Sequence, residues 1–229
     1  MFAYIPARGG SKRIPRKNVK KLGDKPLIAH VIGNLLKASA INKIAVSSDD
    51  DEVLQIASSF ESRVATLKPR ASDLCDDHST FLDLVKLDLP RYVEHFGDND
   101  VILVLPTAAL ISSTIFNKAI ELFQRDTNGL VCSVTSLGRD PMLAMVGDPA
   151  SSLTPLFTEM YVKPTKDLPV TYIDAGCFYC FDFNKMKSLN RFMDLAPIRG
   201  FLLDPDVGID VDTPEDWSRL EQSFTSRKQ

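Results

Sequence analysis

Glycines, a serine and several cations near the start of the chain form a pattern that could bind a polyphosphate. Gly9 and Gly10 lack a Cβ, so their backbone N–H groups can approach an anion closely, and Ser11 adds a hydroxyl donor. Positive charge flanks these residues, from Arg8, Lys12 and Lys17. Residues 8–25 contain eight Lys or Arg and one Asp, a net charge of +7, whereas the whole chain has −3. We therefore expect a local anion site on an acidic protein.

The spacing of these residues matches neither of the two common phosphate-binding motifs. The segment has no G-x-x-x-x-G-K-[ST] sequence and no G-x-G-x-x-G sequence. The alternative interpretation is a solvated basic loop, and we apply it to Arg13, Lys20 and Lys21. A Gly-Gly turn directly after an apolar strand favours the anion site for the other cations.

A second group of residues that could do chemistry is the acidic stretch at residues 209–216. Asp210 and Asp212 are two residues apart on an extended segment, which predicts that both carboxylates point to one face. Two carboxylates beside a triphosphate suit Mg²⁺, which binds a few carboxylate oxygens together with phosphates and water. The alternative is a strand end before a helix cap with both acids in solvent. We interpret Glu215 and Asp216 as acids that face the helix dipole.

Both regions resemble the acylneuraminate cytidylyltransferases, which activate nonulosonic acids with CTP. Residues 5–18 and 23–28 resemble the opening of that family, and residues 209–217 resemble its metal motif. The resemblance implies that the sugar hydroxyl attacks the α-phosphorus of CTP and that the cofactor is Mg²⁺ (or Mn²⁺), bound by Asp210 and Asp212. The catalytic set that it implies is Arg8, Lys12, Lys17, Asp210 and Asp212. The nucleotide-binding set is Ala7, Arg8, Gly9, Gly10, Ser11, Lys12, Lys17, Asn18, Arg70 and Thr80.

Arg70 and Thr80 come from a segment, residues 67–80, that resembles a family segment lying over the nucleotide. The family has Arg before Pro, whereas this chain has Lys68, then Pro69, then Arg70. Either Lys68 or Arg70 could therefore contact CTP, and so could either residue 79 or residue 80. The remaining interpretation is that this segment is a surface loop without a ligand.

Residues 105–111 bear on the identity of the sugar. Members that activate sialic acid have Gln and Arg where this chain has Leu105 and Ile111. A site without a partner for a buried polar group of a substrate rejects that substrate. The pseudaminic-acid members are similar to this chain at residues 106–108 and 174–176. The sugar-binding set that follows is Leu105, Thr107, Asp174 and Gly176. N-acetylneuraminate, legionaminate and 3-deoxy-manno-octulosonate are the alternative sugars.

The elements that must position these residues alternate along the chain. Apolar runs predict strands, and segments with helical period predict helices. The predicted strands are residues 2–6, 43–48, 100–105, 130–135 and 171–183. The predicted helices are residues 27–37, 51–60, 81–95, 114–124 and 214–224, with a helix plus loop at 184–201. This order favours one α/β domain over residues 1–229, a doubly wound, mostly parallel Rossmann-like sheet of the nucleotide-diphospho-sugar transferase type, with ligands at the carboxyl ends of its strands.

In residues 140–175 strand-like and helix-like segments no longer alternate, and the segment contains five prolines. We predict an excursion from the domain that could contain short antiparallel strands, and the resemblance assigns it to a lid and to homodimerisation. Residues 164–166 are Pro-Thr-Lys where the pseudaminic-acid members have Arg-Ser-Gln, so the lid chemistry is altered.

Composition excludes several other classes of protein. The chain has no apolar run of about 18 residues and no signal-peptide pattern, so we expect a cytoplasmic protein without a membrane partner. A pI near 5.6 argues against nucleic acid as a partner. The expected partners are CTP, the sugar acid and a second copy of the chain.

The spacing Cys177-x-x-Cys180 raises the alternative of a zinc or redox site. Residues three apart on a strand point to opposite faces, which argues against one shared metal. We therefore interpret the four cysteines as small core residues in a reducing compartment.

Two further functions use the same residues. A glycosyltransferase could use the Asp-x-Asp sequence to bind a nucleotide sugar, although its position near the C-terminus and the basic loop fit a free triphosphate better. A weakened homologue that only binds nucleotide is the other alternative. Activated nonulosonic acids feed glycosylation of flagellin or of surface polysaccharide, as the family implies.

Overall fold

The computed structural model describes residues 1–136, 138 and 140–227, in which helices flank a seven-stranded sheet. The strands in chain order are β1 (Phe2–Pro6), β2 (Lys21–Leu22), β3 (Lys25–Pro26), β4 (Lys43–Ser47), β5 (Val64–Ala65), β6 (Asp100–Val104), β7 (Leu130–Thr135), β8 (Met145–Asp148), β9 (Ser152–Pro155), β10 (Ile173–Asp182) and β11 (Ile198–Leu202). The α-helices are α1 (Leu27–Leu36), α2 (Asp51–Ser58), α3 (Phe81–Asp83), α4 (Pro90–Phe96), α5 (Ser113–Gln124), α6 (Phe183–Met186) and α7 (Pro214–Ser226). A π-helical turn, Leu84–Asp88, lies between α3 and α4.

The strand order in the sheet is β11-β7-β10-β6-β1-β4-β5. β10 runs antiparallel to both of its neighbours, and the other pairings are parallel. The predicted α/β class with a doubly wound, mostly parallel sheet is confirmed. Two buried clusters of apolar side chains make up the core, as expected where helices cover a sheet on both faces.

The central strands bring the predicted site segments to one edge of the sheet. Pro6 at the end of β1 is in register with Ser47 at the end of β4, and Tyr4 is in register with Leu103 of β6. Because these strands are parallel, the loops that follow them meet at the same edge. The basic loop follows β1, the Asp49–Asp50 segment follows β4, and residues 105–107 follow β6.

The helix after the second acidic motif begins with a capping box. The hydroxyl of Thr213 accepts a hydrogen bond from the N–H of Asp216, and the Asp216 carboxylate accepts from the N–H of Thr213 at 2.8 Å. Pro214 occupies the first turn, where its missing N–H costs nothing. Thr213 is therefore the N-cap of α7. The Asp216 carboxylate is used in this capping box, whereas the carboxylates of Asp210 and Asp212 are not part of it.

The predicted helix plus loop at residues 184–201 was wrong in its second half. After α6 the chain makes a short 3₁₀ turn and then forms β11, which pairs with β7 at the edge of the sheet. A Cβ on Gly200 would lie 2.8 Å from the Val134 side chain, so glycine is what allows β11 to approach β7. A glycine in a five-residue strand weakens the strand pattern in the sequence.

The expectation that Cys177 and Cys180 point to opposite faces was also wrong. Both thiols are buried in the same apolar cluster, because the pairing of β10 with β7 shifts register between Asp174 and Tyr179. Gly176, at φ +60°, lies within this irregular stretch. Both thiols are free, and burial raises the pKa of the Cys177 thiol to about 12.

The segment at residues 140–175 contains the short antiparallel pair that we predicted, formed by β8 and β9. Three 3₁₀ turns accompany this hairpin. Among the described residues, no helix has the length and apolar character needed to cross a membrane.

Candidate active site

A cavity of about 630 Å³ opens at the carboxyl ends of β1 and β6. It collects ten of the predicted site residues: Arg8, Ser11, Lys12, Lys17, Asn18, Arg70, Leu105, Thr107, Asp210 and Asp212. These residues come from four separate parts of the chain, so the basic loop and the acidic motif face the same space.

Other predicted nucleotide-binding residues do not line this cavity. Ala7 is buried behind the loop, with its N–H bonded to the Ser47 carbonyl at 2.8 Å. The N–H of Gly9 donates to the carboxylate of Asp49 at 2.8 Å. These groups hold the loop against the end of β4 instead of facing an anion, and Gly10 does not line the cavity either.

Thr80 likewise lies outside the cavity, because it caps a helix. Its hydroxyl bonds to the Asp83 carboxylate at 2.7 Å in the capping box of α3. The neighbouring Ser79 does line the cavity, and so does Phe81. The structure therefore favours Ser79 over Thr80 among the alternatives that the sequence left open.

Asp174 and Gly176 lie next to the site, away from the main cavity. Asp174 lines a second cavity of about 320 Å³ that shares Asp210 with the first. Its carboxylate accepts hydrogen bonds from Tyr179 Oη at 2.7 Å and from the N–H of Gly176 at 2.9 Å. A Cβ on Gly176 would lie 3.3 Å from the Asp210 carboxylate, so this glycine leaves space around the acid.

Lys17 is the most enclosed of the three predicted phosphate-binding cations, with a side chain that is 17% exposed. Its Nζ donates to the Val211 carbonyl at 2.5 Å and lies 3.7 Å from Asp212 Oδ1. Burial lowers the pKa of Lys17, and the charges of Asp212 and Asp210 oppose that shift. Lys17 thus connects the basic loop with the acidic motif.

Arg13, which we interpreted as solvated, is part of the site. Its Nη2 lies 2.8 Å from Asp212 Oδ2, and the residue lines the cavity. No sequence signal distinguished Arg13 from Lys20, which instead lies over the Trp217 ring at 4.1 Å.

Arg8 and Lys12 contact an acid that the sequence analysis did not single out, Asp77. Arg8 Nη2 lies 2.9 Å from Asp77 Oδ1, and Lys12 Nζ lies 2.5 Å from Asp77 Oδ2. The hydrogen bond from Lys12 lowers the pKa of Asp77. Asp77 thus neutralises part of the charge of these two cations, so an anion that binds to them must compete with it.

The carboxylates of Asp210 and Asp212 are close enough to repel each other. The pKa of Asp210 is raised by partial burial and then by the charge of Asp212, while Lys17 lowers it. Within the described residues no group of three or more His, Cys, Asp or Glu could hold a metal. Two neighbouring carboxylates, one of them with a raised pKa, fit a divalent cation whose other ligands are phosphate oxygens and water.

Two buried polar side chains, Thr107 and Arg70, line the cavity. The hydroxyl of Thr107 is buried without a hydrogen-bond partner among the described residues. Arg70 is 5% exposed and forms no ion pair with a described acid, although its Nε contacts Cys75 Sγ at 3.3 Å. Buried polar groups are normally paired, so the Thr107 hydroxyl is a candidate contact for a bound ligand.

Comparisons with known proteins agree on one family. The cytidylyltransferase family model matches residues 2–143. A pseudaminic acid cytidylyltransferase of Campylobacter jejuni is 29% identical over 94% of this chain and 92% of its own. A CMP-N,N'-diacetyllegionaminic acid synthase of Legionella pneumophila is 30% identical over 97% and 95%. A CMP:2-keto-3-deoxy-manno-octonic acid synthetase solved with CTP has the same fold, with a TM-score of 0.70 at 17% identity over 100% and 99% of the two chains.

Proposed function

Because this chain belongs to the cytidylyltransferase family and is therefore a nucleotidyltransferase, we propose that it transfers CMP from CTP to a nonulosonic acid, with pseudaminic acid as the favoured sugar. The observation that carries the proposal is the contact of Lys17 with Val211 and Asp212 in one cavity, because it brings the basic loop that we propose for the triphosphate next to the acidic motif.

The proposed reaction forms one bond and breaks one bond at phosphorus. The anomeric hydroxyl oxygen of the sugar acid attacks the α-phosphorus of CTP, the bond to the β-phosphate breaks, pyrophosphate leaves with the electron pair, and the hydroxyl proton passes to water. Lys17, Arg8 and Lys12 would stabilise the negative charge that develops on the leaving pyrophosphate. Arg13 adds a fourth cation beside Asp212.

We propose Mg²⁺, or Mn²⁺ in its place, as the metal that Asp210 and Asp212 hold. The donor set supports this, since two carboxylates that belong to no group of three or more potential His, Cys, Asp or Glu ligands among the described residues suit an ion that keeps phosphate and water ligands. When bound, the ion would neutralise charge on the α-phosphate and lower the pKa of the attacking hydroxyl. Lys17 and Arg13, which pair with Asp212 in the free protein, would then be available to the phosphates.

Pseudaminic acid is favoured over N-acetylneuraminate because Leu105 gives the cavity an apolar lining at this position. Leu105 lines the cavity with Phe81 and Leu84, and none of these side chains can pair with a buried hydroxyl group. Legionaminic acid is the second candidate, because the Legionella relative has similar identity. 3-Deoxy-manno-octulosonate is the weaker alternative, since its synthetase shares the fold at 17% identity.

Pyrophosphate release measured with CTP, Mg²⁺ and a panel of nonulosonic acids tests the function. We expect release with pseudaminic acid and at least tenfold lower kcat/KM with N-acetylneuraminate, because an unpaired buried polar group costs about 1–3 kcal/mol. Preferred use of N-acetylneuraminate would contradict the role of Leu105 while keeping the reaction. Use of a nucleotide sugar without pyrophosphate release would instead establish the glycosyltransferase alternative.

We also propose that the chain is a homodimer formed through residues 140–175. Apolar side chains of this segment are exposed to solvent in the single chain: Leu143, Met145, Val146, Leu153, Leu156, Tyr161, Val162, Val170 and Tyr172. Surfaces of this kind usually mark an interface. Light scattering should give twice the mass of the 25.4 kDa chain, and a Val146→Asp, Leu153→Asp variant should give the mass of one chain.

Cytoplasmic residence and a role in glycosylation complete the proposal. Four free thiols fit a reducing compartment. A CMP-activated nonulosonic acid would be the donor for glycosylation of flagellin or of a surface polysaccharide.

A further inference from the structure

Asp50 is a buried carboxylate that the proposed reaction does not use. It precedes α2, its side chain is 7% exposed, and it does not line the main cavity. Its Oδ1 accepts hydrogen bonds from the N–H groups of Glu52 at 2.9 Å and Val53 at 3.4 Å, which caps the helix. Its Oδ2 pairs with Arg16 of the basic loop. A buried carboxylate without a partner of opposite charge is destabilising, so the burial of the Asp50 side chain requires its ion pair with Arg16.

Arg16 has a backbone conformation that needs support. Its φ is +59°, and among the described residues it is the one non-glycine with positive φ. A side chain with a Cβ disfavours this left-handed region. The guanidinium pairs with Asp50, the N-cap of α2, and also with Glu52 in its first turn, so two acids hold Arg16 in this conformation.

The same acidic segment contacts the other end of the loop. The N–H of Gly9 donates to Asp49. A Cβ on Gly9 would lie 2.9 Å from Asp50 Oδ2, so the Gly9 backbone lies against the carboxylate that binds Arg16. Between these two anchored ends lie three cavity-lining residues, 11–13, and Lys17 follows Arg16 directly.

We propose that Asp50 is a positioning residue for triphosphate binding, which acts by fixing the Arg16 end of residues 9–16, while Asp49 of the same segment holds the Gly9 end. A loop held in its binding conformation loses less conformational freedom when the ligand binds, and so binds more tightly. The inference rests on the proposed function only in its choice of CTP as the ligand. Asp50 itself touches no reacting group, and its negative charge is balanced by Arg16.

The test compares Asp50→Asn with Asp51→Asn by titration calorimetry with CTP. Asp51 is the matched control, because it is an exposed acid in the same turn without a contact to the loop in the described structure. We expect Asp50→Asn to raise the Kd for CTP by about tenfold, as for the loss of one coupled ion pair. The KM for the sugar and kcat at saturating CTP should stay within about twofold, since binding alone is affected. The Asp51→Asn variant should bind CTP as the wild type does.

Arg16→Gly is the second variant in this test. It removes the ion pair with Asp50, and glycine adopts a φ of +59° without steric cost. If the pair acts as a unit, the double variant with Asp50→Asn should bind CTP no more weakly than Asp50→Asn alone. Additive losses, or an unchanged Kd in Asp50→Asn, would overturn the proposal.

Amide hydrogen exchange of residues 9–17 in the ligand-free protein separates this inference from the proposed function. We expect faster exchange at these amides in Asp50→Asn and in Arg16→Gly, and unchanged exchange in Asp51→Asn. Unchanged exchange in all three variants would refute the positioning role. Absence of CTP binding by the wild type would refute the proposed function, and the exchange result would still decide the role of Asp50.

Discussion

Replacement of Asp212 by alanine is expected to lower kcat by about three orders of magnitude, because metal-assisted charge stabilisation contributes several kcal/mol. Asp212 is one of two proposed metal ligands and the partner of both Lys17 and Arg13. Its removal would leave Asp210 as the one carboxylate of the pair and would free two cations in the ligand-free site.

The fold should survive this change. The Asp212 side chain is half-exposed, and the hydrogen bond that ties this residue to α7 comes from its backbone N–H, which donates to the Asp216 carboxylate at 3.1 Å. That bond persists in the alanine variant, so we expect a melting temperature within a few degrees of the wild type.

Glu215→Ala is the matched control, because it removes an exposed acid three residues away. We expect wild-type turnover from this variant. Pyrophosphate release gives kcat, and titration of Mn²⁺ into the CTP-bound protein reports metal binding independently of turnover. Near-normal turnover, or unchanged Mn²⁺ affinity, in Asp212→Ala would remove the metal assignment.

Replacement of Lys17 by alanine is expected to lower kcat/KM for CTP by about 10- to 100-fold, since a hydrogen bond to a charged group contributes about 1.5–3 kcal/mol. Lys17 is enclosed between the basic loop and Val211, so water screens its charge less than that of an exposed lysine. Lys21→Ala removes an exposed lysine of β2 and should leave CTP use unchanged. An unchanged CTP dependence in Lys17→Ala would refute its triphosphate role.

The pH dependence of CTP binding provides a second measurement on Lys17. Burial lowers the pKa of Lys17 in the free protein, so its charge is lost at a lower pH than that of an exposed lysine. CTP affinity should therefore fall as the pH rises through that lowered pKa, and binding in this range should be accompanied by proton uptake. In Lys17→Ala this alkaline loss should disappear. A pH profile identical in wild type and variant would show that another group titrates.

Local sequence signals determined the main elements and the two halves of the site. The bounds of β1 and β7 follow from short apolar runs between turn residues, and the structure has them where the sequence predicts. Gly-Gly followed by cations predicts an anion loop, and Asp-x-Asp before a capped helix predicts paired carboxylates. Each of these signals lies within about ten residues, where the spacing of side chains is set by strand or helix geometry.

Only the tertiary structure decided which partners those residues have. Lys17 and Val211 are 194 residues apart in the chain, and no local pattern links Arg13 to Asp212 or Asp77 to Arg8. Arg13 and Lys20 look alike as sequence, yet one faces the cavity and the other covers Trp217. The register shift in β10 likewise depends on how this strand pairs with β7. Contacts of this kind arise from packing between distant segments, and the sequence specifies them only through the complete fold.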